Sequence, residues 1–145
     1  MAPLAVRSFA SLVALGGVFG CHHGGPATGA TPLGSELINF TWILRGLNGQ
    51  PAGLGANGRE ATLRFGASGV ARGFGGCNQF RATYQVDADS IRFQPAASTR
   101  MACSEGMSLE QDYFLALIKV RGWRLTGRHL ELLSDAGTIA DFDRR

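Results

Sequence analysis

The chain has 145 residues, 45% of them hydrophobic, and its 14 basic and 11 acidic residues leave a formal net charge of +3. That length fits one domain once a targeting segment is removed, and the 21 glycines, about twice the average share, point to turns and short strands rather than long helices. The basic residues are nearly all arginines, scattered singly at Arg45, Arg59, Arg64, Arg72, Arg81, Arg92 and Arg100. Single cations alternating with apolar residues are the pattern of a solvated strand face, and they exclude the clustered footprint of a nucleic-acid binder.

Residues 1–20 read as a leader. Arg7 is followed by an uncharged, mostly apolar run that is too short to span a bilayer, which takes about 20 apolar residues. The run ends Val18-Phe19-Gly20-Cys21. A small residue before a cysteine, with a branched aliphatic three positions before it, resembles the bacterial lipobox. The resemblance implies a lipoprotein signal peptide cleaved before Cys21, and lipidation of Cys21 by a diacylglyceryl group and an N-acyl chain of the palmitate type. Two signals of this kind anchor stably where one chain holds only marginally. Plain cleavage near Cys21 with a soluble product is the alternative. Loss of Arg7 leaves the mature chain at +2 (13 basic minus 11 acidic). Residues 21–36, rich in Gly, Pro and Thr, form a flexible tether to a domain at 37–145. His22 and His23 stand there without further ligands nearby, so no metal is expected. His22, not Asp, follows Cys21, which in a two-membrane bacterium implies an outer-membrane lipoprotein facing the periplasm.

The folded part reads as strands. Residues 40–47 are rich in β-branched and aromatic types and end at Asn48-Gly49, a strong turn signal. Residues 50–59 read as a loop. Residues 61–65 alternate, with Leu63 and Phe65 inward and Arg64 outward, and 66–69 turn the chain into a partner strand at 70–74. Gly73, Gly75 and Gly76 inside a strand pattern predict a bulge, a corner or close backbone approach. Residues 81–86 and 91–93 alternate again around a turn at 87–90. Pro95 breaks the pattern, and 96–103 is an irregular or edge segment. One helix is predicted at about 108–121, with Ser108 and Gln111 as a capping box. Glu110 and Asp112 suit its positive end, and Lys119 and Arg121 its negative end. Leu109, Tyr113, Leu117 and Val120 form its buried stripe, widened by Phe114 and Ile118, and Gly122 is its C-cap. Strands at 123–126, 129–133 and 138–142 complete the chain. The fold class is mainly β (α+β): about eight short strands closed into a small antiparallel β-barrel-like domain, with the helix capping one end.

The chemistry is sparse. With Cys21 assigned to the lipid, Cys77 and Cys103 remain as an even pair 26 positions apart. In an oxidising compartment they can close a disulfide. Two buried free thiols are the alternative. A Cys–His enzyme would need a base, and within the folded part only His129 is a histidine. A zinc site of Cys77, Cys103 and His129 lacks tight spacing and a fourth ligand. The glycines at 73–76 carry no phosphate-loop ending, and no Ser sits in a nucleophile elbow. The reading is therefore of a protein without catalytic residues or cofactors.

These residues together resemble the META domain family, also called HslJ-like. The resemblance rests on Trp42-Ile43-Leu44, Gly75-Gly76-Cys77-Asn78-Gln79-Phe80 with Tyr84, and Ser98-Thr99-Arg100-Met101-Ala102-Cys103. It continues through the helix at 110–117, Trp123-Arg124-Leu125-Thr126-Gly127 and Leu130-Glu131-Leu132-Leu133. It implies a small barrel-like domain, membership among bacterial envelope lipoproteins and a link to stress, and it brings no established catalytic residue or ligand. Gly75, Gly76, Asn78, Thr99 and Arg100 are expected to be structural. The function expected is that of a monomeric, non-enzymatic lipoprotein, membrane-anchored through its lipid, that binds or supports an unidentified envelope protein. Two alternatives are a small-ligand binder using the barrel interior, with Tyr84 and Trp123 as binding residues, and a protease-inhibitor-like protein binder.

Overall fold

A computed structural model describes residues 35–145. The expected leader, Cys21 and most of the expected tether, including His22 and His23, lie outside the described residues. The strands are β1 (Trp42–Leu47), β2 (Gln50–Pro51), β3 (Thr62–Gly66), β4 (Val70–Phe74), β5 (Gln79–Asp87), β6 (Ser90–Phe93), β7 (Ala97–Ser98), β8 (Gly122–Thr126), β9 (His129–Ser134) and β10 (Gly137–Arg144). One helix, α1 (Met107–Lys119), lies between β7 and β8.

Every strand pairing is antiparallel, and the pairing of β1 with both β3 and β10 closes the sheet. Eight strands run around the barrel in the order β1-β3-β4-β5-β6-β8-β9-β10. The two-residue strands β2 and β7 are additions on β1 and β5. Closure leaves no long edge to recruit another chain. The predicted loop at 50–59 is therefore partly structured: it contains β2 and a 3-10 turn, Ala56–Gly58.

Eight strands enclose just enough space for side chains to fill. The strict alternation of β3, β5 and β6 sends Leu63, Phe65, Phe80, Ala82, Tyr84, Ile91 and Phe93 inward. Trp42 from β1, Leu130 and Leu132 from β9 and Phe142 from β10 complete the core, each fully buried. Two register shifts, at Leu44/Gly46 in β1 and Thr138/Ala140 in β10, mark bulges that let strands bend around a small barrel.

The helix closes one end, packing against β1, β6 and β10. Tyr113 and Leu117 are fully buried. The Tyr113 ring stands edge-on to Phe80 at 5.6 Å and lies 6.1 Å from Phe142. Three expectations about this helix are corrected. It starts one residue earlier, capped by Gly106 in the left-handed region (φ 84°) with no side-chain cap, so Ser108 lies inside it and the capping box does not form. It ends at Lys119 with Val120 as its C-cap, in place of Gly122, which already belongs to β8. Its buried face holds Glu110, Tyr113, Ala116 and Leu117, while Ile118 is 42% exposed. The chain must leave α1 in extended form to reach β8, so Val120 takes φ −65°, ψ 136° and no glycine cap is needed.

The scattered arginines are also regrouped by the sheet. Arg64 stands directly opposite Arg72, and Arg72 directly opposite Arg81, so three residues eight and nine positions apart in sequence form one cross-strand row.

Candidate functional site

The buried polar residues of the described domain, Asn78 and Glu110, meet where β4 turns into β5. The geometry there starts with two glycines. At Gly75 a Cβ would meet Glu110 and the Phe114 ring at 2.9 Å. At Gly76 it would meet the Gly106 carbonyl oxygen at 2.6 Å, and the backbone there has φ +138°. Only glycine fits both the space and the conformation. The corner is closed by a bond from the Gly75 N–H to the Asn78 carbonyl at 2.8 Å. From outside it is buttressed by the Ala56 N–H, which donates to the Gly76 carbonyl at 2.7 Å.

Glu110 reaches this corner from the first turns of α1. Its Oε2 accepts the Cys77 N–H at 3.0 Å and the Asn78 N–H. Its Oε1 accepts the Asn78 side-chain amide at 2.8 Å. Glu110 is 8% exposed and Asn78 3%. A buried carboxylate is tolerated where its lone pairs are occupied, and here two backbone N–H groups and an amide occupy them. Asn78 in turn grips the segment that follows β7. Its Oδ1 accepts from the Thr99 hydroxyl at 2.9 Å and the Met101 N–H at 2.8 Å, and its Nδ2 donates to the Met101 carbonyl at 3.2 Å. Two residues further on, Cys103 is bonded to Cys77, with Cα atoms 5.8 Å apart. Helix, corner and post-β7 segment are thus joined at one point by a carboxylate, an amide and a disulfide.

The other residues singled out from the sequence fall in separate places. Arg100 is exposed and takes no part in the described bonds of this junction. Tyr84 is a core residue: its hydroxyl donates to the Gly66 carbonyl at 2.8 Å and its ring stands edge-on to Phe65 at 5.1 Å. Burial pushes its phenol above the ordinary value, and pushes the fully buried Tyr113 well above it. Trp123 is half-buried on β8 and donates its indole N–H to the Ala88 carbonyl at 3.0 Å. Tyr84 belongs to the core cluster, and Trp123 packs partly buried against it. His129 faces Asp143 at 3.1 Å and Asp141 at 3.9 Å on the outside of β9 and β10, and both cysteine sulfurs are consumed in the disulfide. Among the described residues no three His, Cys, Asp or Glu side chains gather as a metal site would require.

Glu110 is the residue whose role the sequence did not disclose. A glutamate in the first turn of a helix reads as a partner of the helix dipole. It is instead directed away from its own helix and into the glycine corner.

The sequence profile of the META domain matches residues 35–145, the whole of the described domain. The chain belongs to the META domain family. Its fold is similar to that of solved proteins. An NMR structure of a protein from Burkholderia xenovorans shares 26% identity, with a TM-score of 0.62 over 86% of this chain and 97% of that one. A second NMR structure shares 21% identity, with a TM-score of 0.57 over 74% of this chain and 91% of that one. The crystal structure of a DUF4847 family protein from Bacteroides vulgatus shares 15% identity, with a TM-score of 0.54 over 76% of this chain and 95% of that one; at this identity the likeness is one of fold alone. No curated protein matches the sequence. In this META domain, the Gly75-Gly76-Cys77-Asn78 and Thr99-to-Cys103 motifs are the two sides of the junction just described, and Glu110 is the piece that holds them to the helix.

Proposed function

We propose that this META-domain protein is a non-enzymatic lipoprotein of the bacterial envelope whose barrel binds or supports an envelope protein. The observation that carries the reading is the Cys77–Cys103 disulfide. Such bonds persist in exported proteins and are rare where thiols are kept reduced. It is joined by a leader that ends in a lipobox-like Val18-Phe19-Gly20-Cys21. The character of the junction agrees with a supporting role. Its carboxylate is buried with every described donor directed inward, which suits holding a shape rather than meeting a substrate. A barrel rigidified at this point can present its outer surface and loops to a partner without reorganising on contact. The same reading places the protein at the outer membrane, facing the periplasm, as a monomer.

Two measurements test it. Intact-mass analysis of the protein isolated from its own membranes should show a mature chain that begins at an acylated Cys21. A chain beginning elsewhere, or an unmodified Cys21, refutes the lipoprotein. Crosslinking in native cells, followed by identification of what is captured, should return a recurrent envelope protein. Recovery of the uncrosslinked monomer alone refutes the partner.

A further inference from the structure

The row Arg64, Arg72, Arg81 is an arrangement that the function above leaves unused. Outward positions on β3, β4 and β5 bring the three side chains into direct opposition across two strand pairs. Neighbouring strands lie about 4.8 Å apart, so the three Cα atoms span roughly 10 Å. Like charges directly opposite each other destabilise a sheet. The other like-charge opposition among the described residues, Asp141 against Glu131 on β10 and β9, has cations at hand, with Arg124 on Glu131 and His129 on Asp141. Arg124 stands opposite Glu131 on β8 and β9 and pairs with it at 2.6 Å. Arg45 pairs with Glu60 and Asp143, and Arg145 with Glu60. Among the described residues, Arg64, Arg72 and Arg81 have no such ion pair. The outward position of β5 that is acidic is Asp87, six residues along the strand from Arg81, or roughly 20 Å.

The surface around the row is shaped and rich in donors. Two adjoining depressions, about 430 and 350 Å³, meet at Arg72 and Gln79. Arg64 and Ser68 contribute to the first, and Arg81, Ser98 and Thr99 to the second. Neither lining contains a carboxylate. Each guanidinium offers a planar fork of donors that matches phosphate oxygens two at a time. Three forks in line, with hydroxyl and amide donors beside them, exceed what one carboxylate can accept, since a phosphate group offers three strong acceptor oxygens.

We propose that the outer face of β3, β4 and β5 is a binding site for a ligand carrying two or more phosphate groups in a row, with Arg72 shared between both halves. The charge repulsion along the row is then relieved when the ligand is bound. The chemistry is shared by a soluble polyphosphate-type molecule and by the phosphates of neighbouring anionic lipid headgroups at a membrane surface. The site stands whether or not Cys21 is acylated.

The test uses the full chain and two probes. Tripolyphosphate is titrated in solution while backbone amide NMR shifts are followed, and vesicles of phosphatidylglycerol and phosphatidylcholine are compared with phosphatidylcholine alone by co-sedimentation. Binding to either probe, weakening with salt and with shifts centred on β3 to β5, supports the site. Tripolyphosphate binding alone assigns a soluble ligand, and binding to the anionic vesicles alone assigns a headgroup. The double variant Arg72→Gln/Arg81→Gln should lose at least about tenfold in affinity for the probe that binds, the loss expected for removing charge-assisted hydrogen bonds. Arg124→Gln, on the opposite-charge pair, should leave it unchanged. Melting temperature controls for folding, and removal of opposed like charges should leave it equal or higher. Absence of binding to both probes at low salt, or an equal loss in Arg124→Gln, overturns the proposal.

Discussion

Replacing Glu110 tests whether the carboxylate, rather than the glycine geometry alone, holds the corner to the helix. In Glu110→Ala the Cys77 N–H, the Asn78 N–H and the Asn78 amide all lose their acceptor. Each buried donor left without a partner costs about 1–3 kcal/mol, partly offset because a carboxylate no longer has to be desolvated. Removing one member of a buried charged network costs about 3–5 kcal/mol in comparable cases, and a loss in that range is expected here. Glu110→Gln separates charge from shape. Oε2 serves both backbone N–H groups, so the glutamine carbonyl oxygen must take that place. Its NH₂ then faces the Asn78 NH₂, donor against donor. Asn78 cannot turn over to help, because its Oδ1 is held by Thr99 and Met101. A loss of about 1–3 kcal/mol is expected. Urea unfolding of the oxidised protein, followed by tryptophan fluorescence from the buried Trp42, measures both variants. A Glu110→Ala loss below about 1 kcal/mol, within the range of ordinary surface changes and minor contacts, would refute the argument.

Cys77→Ser/Cys103→Ser should lower stability by about 3.5 kcal/mol on the chain-entropy estimate for a 26-residue separation; an unchanged melting temperature under oxidising conditions would remove the disulfide from the account. Tyr113→Ala should cost about 3–5 kcal/mol by opening a cavity at the helix-capped end of the barrel. Tyr113→Phe should cost under about 1 kcal/mol, because the hydroxyl reaches the Thr62 carbonyl only at a long 3.4 Å; equal losses in the two variants would contradict a packing role. The hydrogen bond from Arg124 holds the Glu131 carboxyl below its ordinary 4.5. As pH falls, the unfolded chain takes up that proton first, so the stabilisation is present above 4.5 and is lost as pH drops through the lower folded value. Stability curves of the protein and of Glu131→Gln should therefore converge below pH 4.5; a constant gap down to strongly acidic pH would sink this assignment.

Much of the barrel was legible from local signals. Alternation at Leu63, Arg64 and Phe65, turn residues at Asn48-Gly49 and the short strand lengths specify strands and hairpins without reference to distant residues. Those features are what the sequence by itself determined: an antiparallel barrel with one helix, and two cysteines in its folded part, Cys77 and Cys103, whose pairing it offered as one of two readings. The helix boundaries were misread because Ser108 and Gly122 carry capping chemistry that this chain does not use. Gly106 is held against the glycine corner and sets the start, and the demands of β8 set the end. Only the tertiary structure decided what Glu110 and the three arginines do. Glu110 lies 33 residues from Cys77, and Arg64, Arg72 and Arg81 meet only because the β3–β4 and β4–β5 registers oppose them. Neither relation leaves a periodic trace in sequence, since a hydrogen bond or a cross-strand opposition depends on where the sheet closes rather than on the residues beside it.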